Sequence, residues 1–243
     1  HLAAQSSVPL SLKNFHDSSA NNIESSLKIF ELSKKFKAPI VYASSSAIYG
    51  NLPAGSDKLN KFSIKSPYAQ DKLTTEHYAK MLFEIFKISS MGLRIFNVYG
   101  PGQPANSPYS SVIPIFINRT LRSLPVVING GFQTRDFIYI QDVIDIMQKS
   151  MKKLQKQKSF GIFNLCTGRS VKIEFLFNLI KKNIGTNPKV IRRKLDKFDP
   201  KKSSGTFNKL LKFLNLKKYN FTKLEDGLDM TIDHMRSFIS WGV

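Results

Sequence analysis

Short apolar runs alternate with longer amphipathic stretches along the first hundred residues. In 22–37 (NIESSLKIFELSKKFK), Ile23, Leu27, Ile29 and Phe30 fall on one stripe with lysines opposite, so the spacing predicts a helix that Pro39 ends. Ile40-Val41-Tyr42-Ala43 reads as a short buried strand, followed by a polar loop with Gly50, Pro53 and Gly55. A second long helix is predicted over 68–88, opened by Ser66-Pro67 as cap and first-turn proline and broken by Gly92. Leu93-Arg94-Ile95-Phe96-Asn97-Val98 is another apolar strand-like run. Helix, strand, helix, strand with short connections predicts an α/β architecture with parallel strands.

The pattern changes after Tyr99-Gly100-Pro101-Gly102. Residues 101–111 are rich in Pro, Gly, Ser and Asn and read as a long loop, which in a compact domain is often functional. A helix at 112–123, a strand at 126–128 and a strand-to-helix unit through 137–154 come next. Residues 170–243 read mainly as lysine-rich helices separated by Asn187-Pro188, Asp199-Pro200 and Gly205. There is no internal repeat, and the stretch near 99–111 is the best domain boundary.

Composition narrows the class. With 42% hydrophobic and 22% charged residues in 243, the chain can form a globular core, which excludes global disorder. Its apolar stretches fall far short of the roughly 20 residues of a membrane helix, and HLAAQSSVPL does not resemble a signal peptide, so no membrane partner is expected. One cysteine, Cys166, suits a reducing compartment. The net charge of +20 invites a polyanionic partner. However, 29 of the 37 basic residues are lysine, whereas arginine is favoured for bidentate base and phosphate contacts. No nucleic-acid-binding signature is present, and no nucleic-acid partner is expected. His1, His16, His77, His234 and Cys166 lack metal-ligand spacing, so no metal site is expected. The chain opens at His1 in what reads as the end of a strand, and a preceding amino-terminal piece is expected.

Tyr68-Ala69-Gln70-Asp71-Lys72 is the first chemical candidate. On a helix, positions i and i+4 share a face, and an ammonium beside a phenol lowers the phenol pKa toward a usable base. Alone the pattern is weak: eight tyrosines and 29 lysines give about one match by chance, and a second occurs at Tyr219–Lys223. For either, a solvated helical pair is the plain alternative. Context separates them. Ser45 lies 23 residues before Tyr68, in a serine cluster that ends a strand, and hydroxyls there sit at the carboxyl edge of a parallel sheet, where ligands bind.

Ser45, Tyr68-x-x-x-Lys72, His1-Leu2-Ala3-Ala4-Gln5 and Leu93-Arg94-Ile95-Phe96-Asn97-Val98-Tyr99-Gly100-Pro101 together resemble the extended short-chain dehydrogenase/reductase family, in its NAD-dependent epimerase/dehydratase branch, most like UDP-sugar 4-epimerases. Gln133-Thr134-Arg135-Asp136-Phe137, Phe163-Asn164-Leu165-Cys166-Thr167-Gly168 and Leu224-Glu225-Asp226-Gly227-Leu228 extend the match over nearly the whole chain. The resemblance implies a Rossmann-type doubly wound parallel sheet, its amino-terminal strands missing, with a smaller α/β substrate domain. Residues 1–100 would be the carboxyl-terminal part of the NAD-binding domain. Residues 101–243 would be mainly the nucleotide-sugar domain, with parts of about 135–168 returning to the first. It further implies Ser45, Tyr68 and Lys72 as catalytic residues. Leu2, Ala3, Ala4, Asn21, Tyr68, Lys72 and Phe96 would lie against the NAD cofactor, and Asn22 would be structural. Ser45, Tyr68, Asn97, Ser111, Val112, Arg135, Asp199 and Ser203 would line the UDP-sugar site. An Arg135–Asp136 surface pair is the plainer alternative for that arginine, and a cap on a helix at 204–214 is the plainer one for Ser203.

Two departures matter. The family's glycine-rich phosphate turn and its ribose-binding acid precede the His-Leu-Ala-Ala strand and are not in this sequence. Its Arg-x-Gly-Asp segment appears as Asp196-Lys197-Phe198-Asp199, with Arg192 or Arg193 as candidate substitutes for the arginine. The reaction is read from Ser45 and the two residues after it. Dehydratases of the family usually carry Thr-Asp-Glu there and decarboxylases a glutamate, but this chain has Ser45-Ser46-Ala47. One base and a hydride carrier suffice for 4-epimerisation of a UDP-hexose or, with the small Ser203 in the pocket wall, a UDP-N-acetylhexosamine. Another reaction of the same family, or a non-catalytic truncated homologue, is the alternative. The family also implies a cytoplasmic homodimer acting in polysaccharide biosynthesis. Its two subunits would pair through the helices at 22–37 and 68–88, where Leu73, Leu82, Phe83 and Phe86 either meet the partner or face the chain's own core.

Overall fold

A computed structural model describes residues 1–58, 61–107 and 109–240, except the side chains of 238–240. Pro108, within the Ser107–Ile113 segment, lies outside the described residues. Helices α1 (Val8–Lys13) and α2 (Phe15–Phe36) precede strand β1 (Ile40–Ser45) and a 3-10 turn at Ser46–Tyr49. Then come α3 (Pro67–Phe86), β2 (Ser90–Ile95), β3 (Asn97–Tyr99), α4 (Val112–Leu121), β4 (Val126–Asn129), β5 (Thr134–Tyr139), α5 (Ile140–Lys156) and β6 (Phe160–Leu165). β7 (Ser170–Lys172), α6 (Ile173–Ile184), β8 (Val190–Arg193), α7 (Asn208–Phe213) and α8 (Leu224–Ser240) complete the order. Among the described residues no helix is long and apolar enough to cross a membrane.

The predicted α/β architecture is present. β1, β2 and β6 form a parallel sheet in the order β1-β2-β6, with Ala43 opposite Leu93 and Leu93 opposite Phe163. On the other side of β1, the His1 amino group donates to the Val41 carbonyl (2.8 Å) and the Ala43 N–H to the His1 carbonyl (3.0 Å). His1 thus occupies the position of a neighbouring parallel strand. At the far edge, side chains blunt β6: Asp57 accepts the Asn164 N–H (3.0 Å) and Lys209 donates to the Ile162 carbonyl (3.1 Å). β3, β5 and β7 form a second sheet, parallel then antiparallel, and β4 pairs with β8.

Several boundaries differ from the apolar pattern, each for a physical reason. α2 begins seven residues earlier than predicted because, apart from Phe30, its buried stripe (Ser18, Asn22, Ser26 and Ser33) is small and polar rather than apolar. Leu27, placed on the predicted stripe, is exposed. α3 stops at Phe86 with Lys87 in the left-handed region (φ 58°), not at Gly92. Gly92 instead lies inside β2, where a Cβ would come within 2.5 Å of the Tyr42 hydroxyl. The run 93–98 is divided between two sheets, since β2 ends at Ile95 and β3 starts at Asn97. The lysine-rich carboxyl region contains two strands, and residues 219–223 are not helical. There Tyr219 donates to Asp142 (3.1 Å), so no helical pair with Lys223 exists.

Two large apolar clusters fill the interior, one around Val41, Leu93, Ile146 and Leu165 and one around Tyr99, Ile117, Ile128 and Phe177. The small-residue stripe of α2 lets that helix approach the strand-end segment closely. Ser26→Leu, which a hydrophobicity count would favour, should therefore overpack this contact and destabilise the fold by about 1–3 kcal/mol in urea unfolding.

Candidate active site

The carboxyl edge of β1 and the amino-terminal half of α3 converge on one group of side chains. Pro67 starts α3, and the Ser66 hydroxyl accepts the Ala69 N–H (3.2 Å) as its cap. The Tyr68 N–H, another orphan of the first turn, donates to the hydroxyl of Ser11 on α1 (3.3 Å). Sequence reasoning missed Ser11, since nothing in a lone serine of a short segment marks it. The Ser45 side chain lies near enough to the Tyr68 phenol to favour its ionised form, and the Ser45 hydroxyl accepts the Ala47 N–H (3.1 Å). One turn further on, Lys72 Nζ donates to the Ala43 carbonyl (3.0 Å) and stands 5.8 Å from the centre of the Tyr68 ring. Ser45, Tyr68 and Lys72 are all buried.

The electrostatics differ from the expected lowering of the tyrosine pKa. Burial pushes the Tyr68 phenol above its ordinary value and Asp71 adds to this, with the nearby Ser45 side chain working the other way. Burial also lowers Lys72 to about 8, partly offset by Asp71. The ammonium is spent on a backbone carbonyl in a site that disfavours charge, so within the chain alone it does not bring the phenol down.

Of the residues expected against NAD, those of the first segment lie beside β1. Asn22 is the clamp of the first segment: its carbonyl oxygen accepts the Gln5 N–H (2.8 Å), and its amide donates to the Gln5 carbonyl (3.1 Å) and to Asp71 (3.1 Å). This holds Leu2, Ala3 and Ala4 beside the end of β1, with Leu2 and Ala3 exposed. Asn21 is exposed on α2. Phe96 is buried with Ile48, Tyr49, Leu73 and Cys166, and a Cβ on Gly205 would come within 2.5 Å of its ring. Only glycine fits there.

Of the residues expected at the UDP-sugar site, Arg135 lies on β5, and Asn97 and Ser203 pair with that strand. Arg135 pairs with Asp199, 64 residues away, and its guanidinium also donates to the carbonyls of Thr134 (2.7 Å) and Pro200 (2.8 Å). This replaces the alternative Arg135–Asp136 pair. Asp136 instead accepts from the Thr167 hydroxyl (2.7 Å) and from the N–H groups of Thr167 (2.9 Å) and Gly168 (2.8 Å). Ser203 does not cap a helix, because α7 starts five residues later. Its N–H donates to the Thr134 carbonyl (3.1 Å) and its carbonyl accepts from Ser170 (2.8 Å). Residues 199–205 are thus a strap along β5 that reaches the Gly55 loop through Gly55 N–H and the Ser204 carbonyl (2.7 Å). Beside it, a cavity of about 530 Å³ is lined by Asn51, Pro53, Leu195, Asp196, Lys197, Asp199, Lys201 and Lys202. Arg192 is not available there, because Glu174 takes it in a bidentate pair (2.8 and 2.7 Å). Asn97 starts β3, and Ser111 and Val112 form the start of α4, where Ser111 donates to Gln103 (3.2 Å).

The donors at the β1 edge suit a nicotinamide ribose. Lys72 uses one N–H on Ala43, and the exposed Leu2–Ala3 segment follows His1, which pairs with β1. The stability of the site depends on Lys72. An unfolded chain holds a lysine near 10.5 and the folded one holds Lys72 near 8, so below pH 8 the folded state carries a charge it disfavours. That penalty is complete below about pH 8 and fades as pH rises toward 10.5. Lys72→Met should therefore raise stability at neutral pH by about 2 kcal/mol in urea unfolding, with a smaller gain in alkaline buffer.

Comparison with known proteins places this geometry. A model of the NAD dependent epimerase/dehydratase family matches residues 1–166. A putative UDP-glucose 4-epimerase of Methanocaldococcus jannaschii is 34% identical over 193 residues, 76% of this chain and 60% of that protein. Two curated relatives from that organism are spanned over only 57% and 60% of their length. The crystal structure of the Thermotoga maritima UDP-glucose 4-epimerase with UDP-glucose superimposes with a TM-score of 0.90 at 30% identity, covering 98% of this chain and 77% of that one. The UDP-N-acetylglucosamine 4-epimerase of Methanobrevibacter ruminantium, in complex with UDP-N-acetylmuramic acid, gives 0.89 at 33% identity, covering 98% and 76%. The fold is the Rossmann-type α/β fold of these neighbours, NAD is the cofactor of the matched family, and the chain belongs to the NAD dependent epimerase/dehydratase family.

Proposed function

We propose that the protein catalyses NAD-dependent 4-epimerisation of a UDP-hexose or UDP-N-acetylhexosamine through a 4-keto sugar, with Tyr68 as the base. The observation that carries this reading is the convergence of Ser45, Tyr68 and Lys72 at one buried sheet edge, with Lys72 Nζ 5.8 Å from the Tyr68 ring centre and bonded to the Ala43 carbonyl. Ser46 and Ala47 fill the positions after Ser45, and both nearby acids are engaged, Asp71 by Asn22 and Glu76 by Arg94. Loss of water assisted by an acid pair therefore has no residues to run on, whereas proton exchange at one hydroxyl does.

Bound NAD supplies reversible acceptance of the C4 hydride. The Tyr68 phenolic oxygen takes the proton of the C4 hydroxyl and returns it from the same position. Ser45 donates a hydrogen bond to that oxygen and holds Tyr68 in line. Lys72, charged below about pH 8, keeps a positive charge near the phenol and donates to the nicotinamide ribose. Leu2, Ala3, Ala4, Asn21 and Phe96 border the cofactor. Asn97 and Arg135 hold the nucleotide diphosphate, where the guanidinium fork of Arg135 suits phosphate oxygens, Asp199 lies near the uridine ribose, and Ser111 and Val112 line the rest of the UDP-sugar site. Ser203, small and half-buried, leaves room for an N-acetyl group. The same reading divides the chain into a dinucleotide-binding part, 1–100, and a mainly sugar-nucleotide part, 101–243, with segments of 135–168 returning to the first.

In the full-length protein, Tyr68→Phe should reduce turnover of UDP-glucose and UDP-N-acetylglucosamine at least a hundredfold, in line with loss of a general base. Turnover within tenfold of the parent's would overturn the assignment.

A homodimer in the cytoplasm, serving polysaccharide biosynthesis, completes the proposal. Leu73 and Leu82 are buried in the chain's own core and Phe83 stacks on Phe160 (5.9 Å), which removes them from the contact expected of α3. Leu32, Phe36, Ile85 and Phe86 remain exposed on α2 and α3 and form the apolar face a second copy would cover. Ile85→Lys should convert a dimer into a monomer in sedimentation velocity. A monomeric parent would remove this part of the proposal.

A further inference from the structure

We infer that the buried Arg94–Glu76 pair, together with Ser44, is a positioning device that sets the height and rotation of α3 on the sheet, so that Tyr68 meets Ser45 and Lys72 meets Ala43. The inference rests on the proposed roles of Tyr68 and Lys72 and adds residues to which that reading gives no part. Tyr68, Lys72 and Glu76 recur every four residues and share one face of α3. Their partners are consecutive on β1: Ser45 for Tyr68, Ala43 for Lys72 and Ser44 for Glu76. The third contact differs from the others in being saturated. Arg94 Nε donates to Glu76 Oε1 (2.7 Å), Arg94 Nη2 to Oε2 (2.6 Å) and the Ser44 hydroxyl to Oε1 (2.5 Å).

A bidentate fork accepts one relative geometry, whereas apolar side chains slide and rotate over one another at little cost. Rotating α3 by one residue or shifting it along its axis would break all three bonds and leave two charges buried. The fork is itself anchored. Arg94 Nη1 donates to the Tyr49 hydroxyl (2.9 Å), which donates to Asn164 on β6 (2.6 Å). Tyr49 ends the 3-10 turn that Ser45 caps. Both sides of the Ser45–Tyr68 contact are therefore tied to the same guanidinium. The bulk stability of a core does not call for this pair, because replacing a buried ion pair with apolar residues of similar volume is often neutral or stabilising. Here its geometry is what the site uses.

That difference can be tested. In the full-length protein, Glu76→Met combined with Arg94→Met removes both charges without leaving either alone. The variant should fold with a melting temperature near the parent's, yet show a kcat about tenfold lower or less than that with KM within twofold, as expected for misplaced reacting groups. The Lys72 titration, followed by NMR, should also move upward from about 8 as its ammonium becomes better hydrated. The groups facing Lys72 are Tyr68 and Asp71 on its own helix and the His1 amino group across from it. A kcat within twofold of the parent's and an unmoved Lys72 titration would overturn the inference. Should the double variant not fold, Ser44→Ala decides by the same readouts: a threefold or larger fall in kcat at constant KM with a shifted Lys72 titration supports the device, and parent-like values overturn it. Turnover that survives Tyr68→Phe would instead sink the proposed function, whereas a parent-like double variant beside an inactive Tyr68→Phe sinks only the positioning role.

Discussion

The contact between one face of α3 and the carboxyl end of β1 governs the rest of the molecule's chemistry. Helix and sheet could pack through apolar residues alone, as they do around Phe30, Ala79 and Leu82 toward the other end of the helix. Near the strand ends the packing becomes polar and directional. Ser45, Ala43 and Ser44 each take one partner from α3, and Ser11 on α1 takes the helix's own first-turn N–H. Asn22 on α2 then ties the first segment to the same helix through Asp71. Every element that borders the candidate cofactor site is therefore registered against α3 by hydrogen bonds, which have directions, rather than by apolar area, which does not.

The second side of the site is built by a different device. The 199–205 strap has little apolar content and is held by backbone pairing to Thr134, by the Arg135–Asp199 pair and by the approach of Gly205 to Phe96. Because Gly205 has no side chain, the strap reaches the aromatic ring that also packs on Tyr49 (ring centres 6.4 Å apart). Phe96 and Arg135 are thus coupled through one short segment, and the strap that lines the cavity is continuous with the core around Phe96.

Much of this was legible in the sequence, and the misses share a cause. Strand β1, helix α3 and the long loop after Tyr99 are encoded by apolar runs, a capping serine with a first-turn proline, and turn-forming residues. The helical spacing put Tyr68 and Lys72 on one face, and the motif order put Ser45 with them. What the pattern missed is burial without hydrophobicity. α2 buries serines and an asparagine, so its first turns look like loop and its true stripe looks like surface. The Arg135–Asp199 pair joins residues 64 apart, and no local period encodes it. The adjacent Arg135–Asp136 pair is already disfavoured by the apolar run that follows it, and the strand excludes it because successive residues point to opposite faces. Ser203 looked like a cap because Ser is a good one, whereas its backbone was needed for sheet pairing.

The charge of the chain can be sorted by commitment. Of the 37 basic residues, only Lys72, Arg94 and Arg135 are buried among the described ones, so the excess of +20 is a surface property. These three differ in what holds them. Arg94 is locked to a buried carboxylate at both oxygens and to a phenol, which leaves it no freedom to serve a ligand. Arg135 faces a carboxylate that is itself partly exposed, so its pair is solvated rather than sealed. Lys72 has no carboxylate bonded to it at all: Asp71, the acid nearest in sequence, is engaged by Asn22, and the ammonium rests on a carbonyl. Burial without a bonded counter-charge is what brings its pKa down to about 8. The residue whose charge can change near neutral pH is therefore the one beside Tyr68, and the fully paired one is the residue that holds the helix still.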